Sequence, residues 1–384
     1  MKHARSASIG IVATYPPRLC GIASYTASLV ASLTTDRHRV GVVSLTDRNV
    51  GVSGSPVVFH HRVGDPASLR AAVDTLNTYD TVSVQHEFGI FGGPDGDEVI
   101  DLMTGLTVPA AVTLHTVLAA PTGHQRAVVE RICDLADRIV VMSQTAAARL
   151  VDGYAVDPSR VRIIAHGADR DFAGPGRGSG RRPLILTWGL IGPGKGLEWA
   201  IKACAGLRDL DPLPRYLILG STHPQVRQES GETYRNDLMT LSRRLGVEGI
   251  VEFDDRYLSR KALTRTVRTA DAVVLPYESV EQVTSGVLVE AMAAAKPVVA
   301  TEFPHAVEAL SDGAGILVPH RDPSAITRAL RQLLTQPEVM ATMTARARAL
   351  AAGRYWPAVG RQFGDLMTEM KQPVPEHNPV MPVT

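Results

Sequence analysis

The residues with the plainest chemistry are a lysine in a glycine-rich turn and a helix start built from small polar residues. Gly189-Leu-Ile-Gly-Pro-Gly194-Lys195-Gly196 follows directly on the apolar run Pro183-Leu-Ile-Leu-Thr-Trp188. Further on, the segment Gln282-Val-Thr284-Ser285-Gly286-Val-Leu-Val-Glu290 opens a helix whose first backbone N–H groups, at Thr284, Ser285 and Gly286, can receive an anion. A cation and a helix N-terminus in the same half of the chain fit a diphosphate, which makes a nucleotide-sugar enzyme the leading idea. Residues 189–195 also fit G-x-x-x-x-G-K, the phosphate loop of nucleoside triphosphatases. Gly196 then stands where that loop needs a Ser or Thr hydroxyl for Mg²⁺. No apolar strand ending in Asp stands out as a partner acid, so the triphosphatase reading is set aside.

More polar residues follow the apolar runs, where open α/β sheets bind their ligands. The first run leads into Thr14-Tyr-Pro-Pro-Arg18-Leu-Cys-Gly21, which ends in glycine at a helix start. Others lead into Gln85-His86-Glu87, His115-Thr116, Ser143 and Ala165-His166-Gly167. Any one of these histidines alone reads as a hydrogen-bonded structural group, and Ser143 reads equally as a helix cap. Three histidines on three strand ends together point to a polar cleft. Glu290 lies four residues beyond Gly286, on roughly the same helix face. Its neighbours are apolar all round, so it is expected to be buried and to need partners, such as two ribose hydroxyls. His86-Glu87 does not continue as H-E-x-x-H, and no G-x-S-x-G appears, which argues against zinc and serine hydrolases.

Elements must position these groups, and the pattern supplies them. Strand-length apolar runs at 8–13, 39–44, 81–84, 110–114 and 138–142 alternate with helical segments such as 22–33 and 127–135. The alternation restarts with runs at 184–187, 216–219, 250–253, 272–275, 297–300 and 315–318. This predicts two α/β, doubly wound, Rossmann-like domains facing across a cleft. The expected division is 1–168, a linker at 169–182 rich in Gly and Arg, 183–353, a helix at 354–370 crossing back, and a proline-rich disordered tail at 371–384.

With 384 residues, 45% of them apolar, two cores are easily filled. A net charge of +1 argues against a nucleic-acid binder. Cys20, Cys133 and Cys204 match no disulfide or zinc spacing and suit a reducing cytoplasm. No signal-peptide core and no transmembrane run of about eighteen apolar residues is found, although peripheral membrane contact stays open.

These residues resemble the GT-B glycosyltransferases, specifically the retaining family 4 (glycosyl transferases group 1), over nearly the whole chain. Tyr15 to Ala23 resembles that family's N-terminal glycine loop near the donor phosphates and acceptor. His115 falls where the family has a histidine near the transferred sugar. Gly189 to Gly196 resembles its G-R-x-x-x-x-K-G loop, and Glu290-Ala-Met-Ala-Ala-Ala-Lys-Pro-Val-Val-Ala300 its E-A-M-A-x-G-x-P-V-V segment. Trp356 and the helix after it resemble the helix that returns to the first domain. Two departures stand out: Leu190 replaces the loop arginine, and Gln282 replaces the first glutamate of E-x₇-E.

The resemblance implies a metal-independent retaining transferase that moves a sugar from a nucleotide-diphosphate donor to a carbohydrate or small-molecule acceptor, without a cofactor. His115, Lys195, Gln282 and Glu290 are the implied catalytic set. Gly21, Gly194, Lys195, Thr284, Ser285 and Gly286 would hold the diphosphate, and Glu290 the ribose. Arg18, His86, Glu87, Ser143 and His166 would face the acceptor or the sugar. A nucleotide-sugar epimerase, a phosphorylase and a non-catalytic sugar- or nucleotide-binding homologue are the alternatives.

Overall fold

The computed structural model describes residues 6–47, 54–174 and 182–371. The glycine-rich part of the expected linker, 175–181, and the expected tail from 372 onward lie outside the described residues.

The described chain forms two parallel sheets. The first contains β1 (Ser8–Ala13), β2 (Arg39–Thr46), β3 (Val57–Arg62), β4 (Thr81–His86), β5 (Ala110–Leu114), β6 (Arg138–Val141) and β7 (Val161–Ile163), in the order β3-β2-β1-β4-β5-β6-β7. The second contains β8 (Leu184–Trp188), β9 (Arg215–Leu219), β10 (Val251–Asp254), β11 (Ala272–Leu275), β12 (Val298–Thr301) and β13 (Gly315–Val318), in the order β10-β9-β8-β11-β12-β13. Parallel strands covered by helices on both faces read as unbroken apolar runs, and β4, β5, β11 and β12 are buried at every residue. The edge strand β3, Val57-Val-Phe-His-His-Arg62, lacks such a run. Its burial is irregular, with Val57 and His61 buried and Val58 and Arg62 exposed, so neither an apolar run nor a clean alternation marks it.

In each sheet the strand order reverses about its first strand, between β1 and β4 and between β8 and β11. The loops after these strands therefore line the crevice where ligands bind. Several contacts cross between the domains to support it. Val283, just before the helix Gly286–Ala293, packs into the apolar core of the N-terminal domain. The helix Trp356–Lys371 buries Val359, Phe363 and Met367 against Tyr25, Leu29 and Leu33 of the N-terminal domain. The Ser32 hydroxyl donates to the Trp356 carbonyl at 2.8 Å at the start of that helix. The crossover segment is equally fixed: Ala168 and Trp356 exchange backbone bonds with Arg354 and Ala168, and Phe172 is fully buried in the C-terminal core.

Candidate active site

Lys195 sits in the turn between β8 and the helix Leu197–Cys204. Gly196 adopts φ +63°, and a Cβ there would stand 1.9 Å from the Pro276 carbonyl oxygen, so only glycine lets the turn close on the β11 loop. The turn is pinned where the Glu278 N–H donates to the Gly194 carbonyl at 2.9 Å. Trp199 Nε1 and Arg321 Nε both donate to Oε1 of the same glutamate. Lys195 Nζ lies 4.3 Å from the centre of the Tyr277 ring. No carboxylate pairs with it among the described residues, and burial lowers its pKa. A desolvated cation over an aromatic face, lacking a counter-ion, is poised for an anion.

Tyr277 joins that cation to the second half of the expected site. Its phenol lies beside Ser285, the N-cap of the helix Gly286–Ala293, and burial raises its pKa while that side chain opposes the shift. The loop lysine and the helix N-terminus thus converge on one buried tyrosine. The N-terminus itself is less open than the sequence suggests. The Ser285 N–H donates to His305 Nδ1 at 2.8 Å, and the Ser285 hydroxyl accepts the Leu288 N–H. Gly286 lies against His166, where an added Cβ would come within 2.9 Å of Nε2. Thr284 Oγ1 is buried without a partner. Of the three expected donors, the Ser285 amide is already used by the protein, because His305 packs beneath the loop.

Glu290 is buried, as the apolar helix around it requires, but both of its oxygens have protein partners. Oε1 pairs with Arg260 at 2.7 Å, and Oε2 accepts the Trp188 indole N–H at 3.1 Å. Arg260 also pairs with Asp169 of the crossover segment. Burial raises the Glu290 pKa while Arg260 opposes it. Each oxygen keeps one lone pair for a further donor. Gln282 turns inward: its Nε2 donates to the Thr284 carbonyl at 3.1 Å.

On the N-terminal side, the strand ends bring His86, Glu87, His115 and His166 together. Gln85 Nε2 donates to Ser83 and Thr113, leaving its Oε1 to accept from His115 Nε2 at 3.0 Å. His115 therefore carries its proton on Nε2 and presents Nδ1 as an acceptor. His166 Nδ1 must donate to the Gly167 carbonyl at 2.8 Å, so its Nε2 lone pair faces Gly286. Burial, with His166 and His86 nearby, lowers the His115 pKa to about 3. Burial lowers His86 and His166 to about 4, so all three rings are neutral near pH 7. Glu87 accepts the Thr116 hydroxyl at 2.6 Å and the Phe88 N–H, and burial raises its pKa.

The other expected residues have simpler settings. Ser143 is buried and caps the helix Gln144–Tyr154 by accepting the Ala146 N–H, a structural task that leaves it no exposed hydroxyl. Gly21 begins the helix Gly21–Thr35 beside open space, capped by the Cys20 thiol. Arg18 is exposed in the loop before it. His86 is fully buried with neither ring nitrogen partnered.

Several site residues carried no motif: Tyr25, Gln85, Trp188, Arg260, Tyr277 and His305. Two interdomain clasps were equally silent. Arg149 Nη1 donates to Glu281 Oε2 at 2.8 Å and to the Val117 carbonyl. Glu308 accepts the N–H groups of Gln144 and Thr145. Glu281 shares its loop with Glu278 and Glu308 follows Glu302, so nothing in the sequence singles out the two that clasp.

Among the described residues, no group of three or more His, Cys, Asp or Glu side chains is placed to hold a metal ion. No described helix is long and apolar enough to cross a membrane.

Known proteins resemble this arrangement in sequence and in fold. The family described as Glycosyl transferases group 1 matches residues 182–336, and Glycosyltransferase Family 4 matches residues 20–172. A D-inositol 3-phosphate glycosyltransferase of Corynebacterium efficiens is 29% identical over 286 residues, 68% of this chain and 66% of that protein. One from Kineococcus radiotolerans is 31% identical over 252 residues, covering 60% of this chain and 56% of its own length. The matched region thus spans about two thirds or less of these two relatives. Among solved structures, Anabaena HepE in complex with UDP superposes with a TM-score of 0.74 at 17% identity, over 94% of this chain and 100% of that one. A glycosyltransferase from Rickettsia africae gives a TM-score of 0.74 at 14% identity, over 96% and 100%.

Proposed function

The chain belongs to the family 4 glycosyltransferases and has their GT-B fold, and from that premise we propose that it transfers a sugar from a nucleoside-diphosphate donor with retention of configuration and without a metal ion. The observation that carries this reading is the convergence of Lys195 and Ser285 on Tyr277. A cation without a counter-ion and a helix N-terminus meet there, on the donor side of the crevice.

In this reading Lys195 stabilises the charge that develops on the leaving diphosphate, acting in a water-poor site where it is worth more than in solution. Gly194, Thr284 and Gly286 flank the same phosphates, and Gly21 lets the opposite helix start approach them. Glu290, oriented by Arg260 and Trp188, uses its remaining lone pairs for the ribose hydroxyls. His115 accepts a hydrogen bond from a sugar hydroxyl at Nδ1, and Gln282 borders the sugar. Glu87, Thr116 and Arg18 line the acceptor side, with His86 behind them. Attack from the leaving-group face accounts for retention. The Arg149–Glu281 and Glu308–Thr145 contacts favour the closed cleft, which excludes water that would otherwise hydrolyse the donor.

The two curated relatives are named for D-inositol 3-phosphate, so that phosphorylated polyol is the first acceptor to test. A panel of UDP-, GDP-, ADP- and dTDP-sugars is incubated with it and with simple sugars, with and without chelator. Nucleoside-diphosphate release that needs the acceptor, persists in chelator and yields a product of unchanged anomeric configuration is expected. Turnover without acceptor would instead mark an epimerase or hydrolase. Inverted product would remove retention, and binding without turnover would mark a non-catalytic homologue. The proposed compartment is the cytoplasm, supported by three free cysteines, two of them buried.

A further inference from the structure

Tyr25 lies in the first turns of the helix Gly21–Thr35, almost wholly buried, and three rings surround its own. His115 meets it edge-on with centroids 4.9 Å apart and planes at 87°. His166 lies at 5.2 Å and 62°, and Trp356 at 5.2 Å and 70°. One ring thus touches the loop after β5, the segment after β7 and the start of the returning helix. Its hydroxyl is buried without a protein partner, as is Trp356 Nε1. An orphaned buried hydroxyl is a cost to the fold, so what this residue offers its neighbours is its ring. Edge-to-face packing fixes ring rotation, which hydrogen bonding at one nitrogen leaves partly free. His115 has one such bond to Gln85, and His166 one to Gly167.

We propose that Tyr25 is a positioning residue for the transfer reaction: its ring, wedged between His115 and His166, holds each imidazole in a single orientation and tautomer. His115 then keeps Nδ1 available as an acceptor, and His166 keeps Nε2 against Gly286. Through Trp356 the same ring ties the returning C-terminal helix to the reacting centre. The claim rests on the transferase reading for its kinetic consequence, but not for its structural one.

The test uses the full chain with Tyr25→Phe, Tyr25→Leu and the milder Tyr25→Met. Histidine ¹⁵N spectra of the free protein come first. Wild type and Tyr25→Phe are expected to show the Nε2–H tautomer for His115 and the Nδ1–H tautomer for His166. The Leu and Met variants are expected to show shifts moved toward tautomer averaging. In steady-state assays Tyr25→Leu should lose about tenfold or more in kcat with donor KM within about twofold, since small misplacements of reacting groups act on the transition state. Tyr25→Phe should stay within about threefold of wild type and melt no lower, because it retains the edge contacts and sheds the orphaned hydroxyl. Unchanged histidine spectra in Leu and Met overturn the proposal, as does unchanged kcat. A Phe variant as impaired as Leu also overturns it, because the hydroxyl would then be the acting group. If Tyr25→Leu does not fold, the Met variant decides by the same readings. If wild type turns over no donor, the transferase reading falls while the spectra still decide the positioning claim.

Discussion

Glu308 of the C-terminal domain reaches Thr145 of the N-terminal domain, accepting its backbone N–H at 2.9 Å and its hydroxyl at 2.8 Å. A second carboxylate, Glu281, meets Arg149 on the same helix, Gln144–Tyr154. Both glutamates flank the helix Gly286–Ala293, one on the loop before it and one on the helix Pro304–Leu310 after it. Closure of the crevice and placement of that helix are therefore mechanically linked. A carboxylate at a helix N-terminus is favourable both as a hydrogen-bond acceptor and for the helix dipole.

Glu308→Ala should therefore favour the open form. The carboxylate is partly exposed, so the loss is about 1 kcal/mol, roughly a fivefold shift in the closed-to-open ratio. Small-angle scattering should report a larger radius of gyration, and kcat should fall several-fold. An unchanged radius together with unchanged kcat would show that these bonds do not govern closure.

Glu290→Ala strands the Trp188 indole N–H and removes one of the two carboxylates facing Arg260. Arg260 keeps Asp169 and some solvent, so the expected loss of stability is about 2 kcal/mol rather than the larger cost of a fully buried orphan. Glu290→Gln, which still accepts from Trp188, should recover part of it. Urea denaturation measures both, and a Gln variant as unstable as Ala would show that charge, not the indole bond, matters most.

Much of this was legible in the sequence. The two doubly wound parallel sheets follow from β–α alternation, and the buried central strands stand out as apolar runs. Lys195 and the Gly286 helix start were visible because glycine turns and helix N-termini are local features. Tyr277, which joins them, was not, because a tyrosine after a strand carries no sign of which loop lies above it. The Asp169–Arg260–Glu290 chain was hidden for the same reason: it links three segments far apart in sequence. The Ser285 amide, open by sequence, donates to His305, a residue 20 positions away. Local chemistry shows which groups are available, whereas tertiary packing decides which are already used.

Acid should destabilise the protein well above the pH at which carboxylates protonate. His86 and His305 are buried and neutral, each with its pKa lowered by burial to about 4. In the unfolded chain each titrates near 6.5, so between about 6.5 and 4 the unfolded state binds more protons and stability falls as pH falls. Each ring costs about 1 kcal/mol by pH 5.5. His115 and His166 add to the effect, while Glu87 and Glu290, whose pKa values burial raises, oppose it. Melting temperatures should decline from pH 7 to pH 5. A flat profile over that range would mean that the histidines are hydrated in solution.

The central claim is that Lys195 and the Ser285 helix start form a nucleoside-diphosphate site, and a thermal-shift comparison of wild type with Lys195→Ala tests it most directly. UDP, GDP, ADP, CDP and dTDP are each added to both proteins. A ligand at about 100 times its Kd adds about 2.7 kcal/mol of stability, enough for a clear rise in Tm. Losing the lysine contact should weaken binding by on the order of 2–3 kcal/mol, roughly 30- to 150-fold. The account predicts a rise with one of these nucleotides in wild type that is abolished in Lys195→Ala. No rise with any of the five, or an equal rise in both proteins, would contradict it.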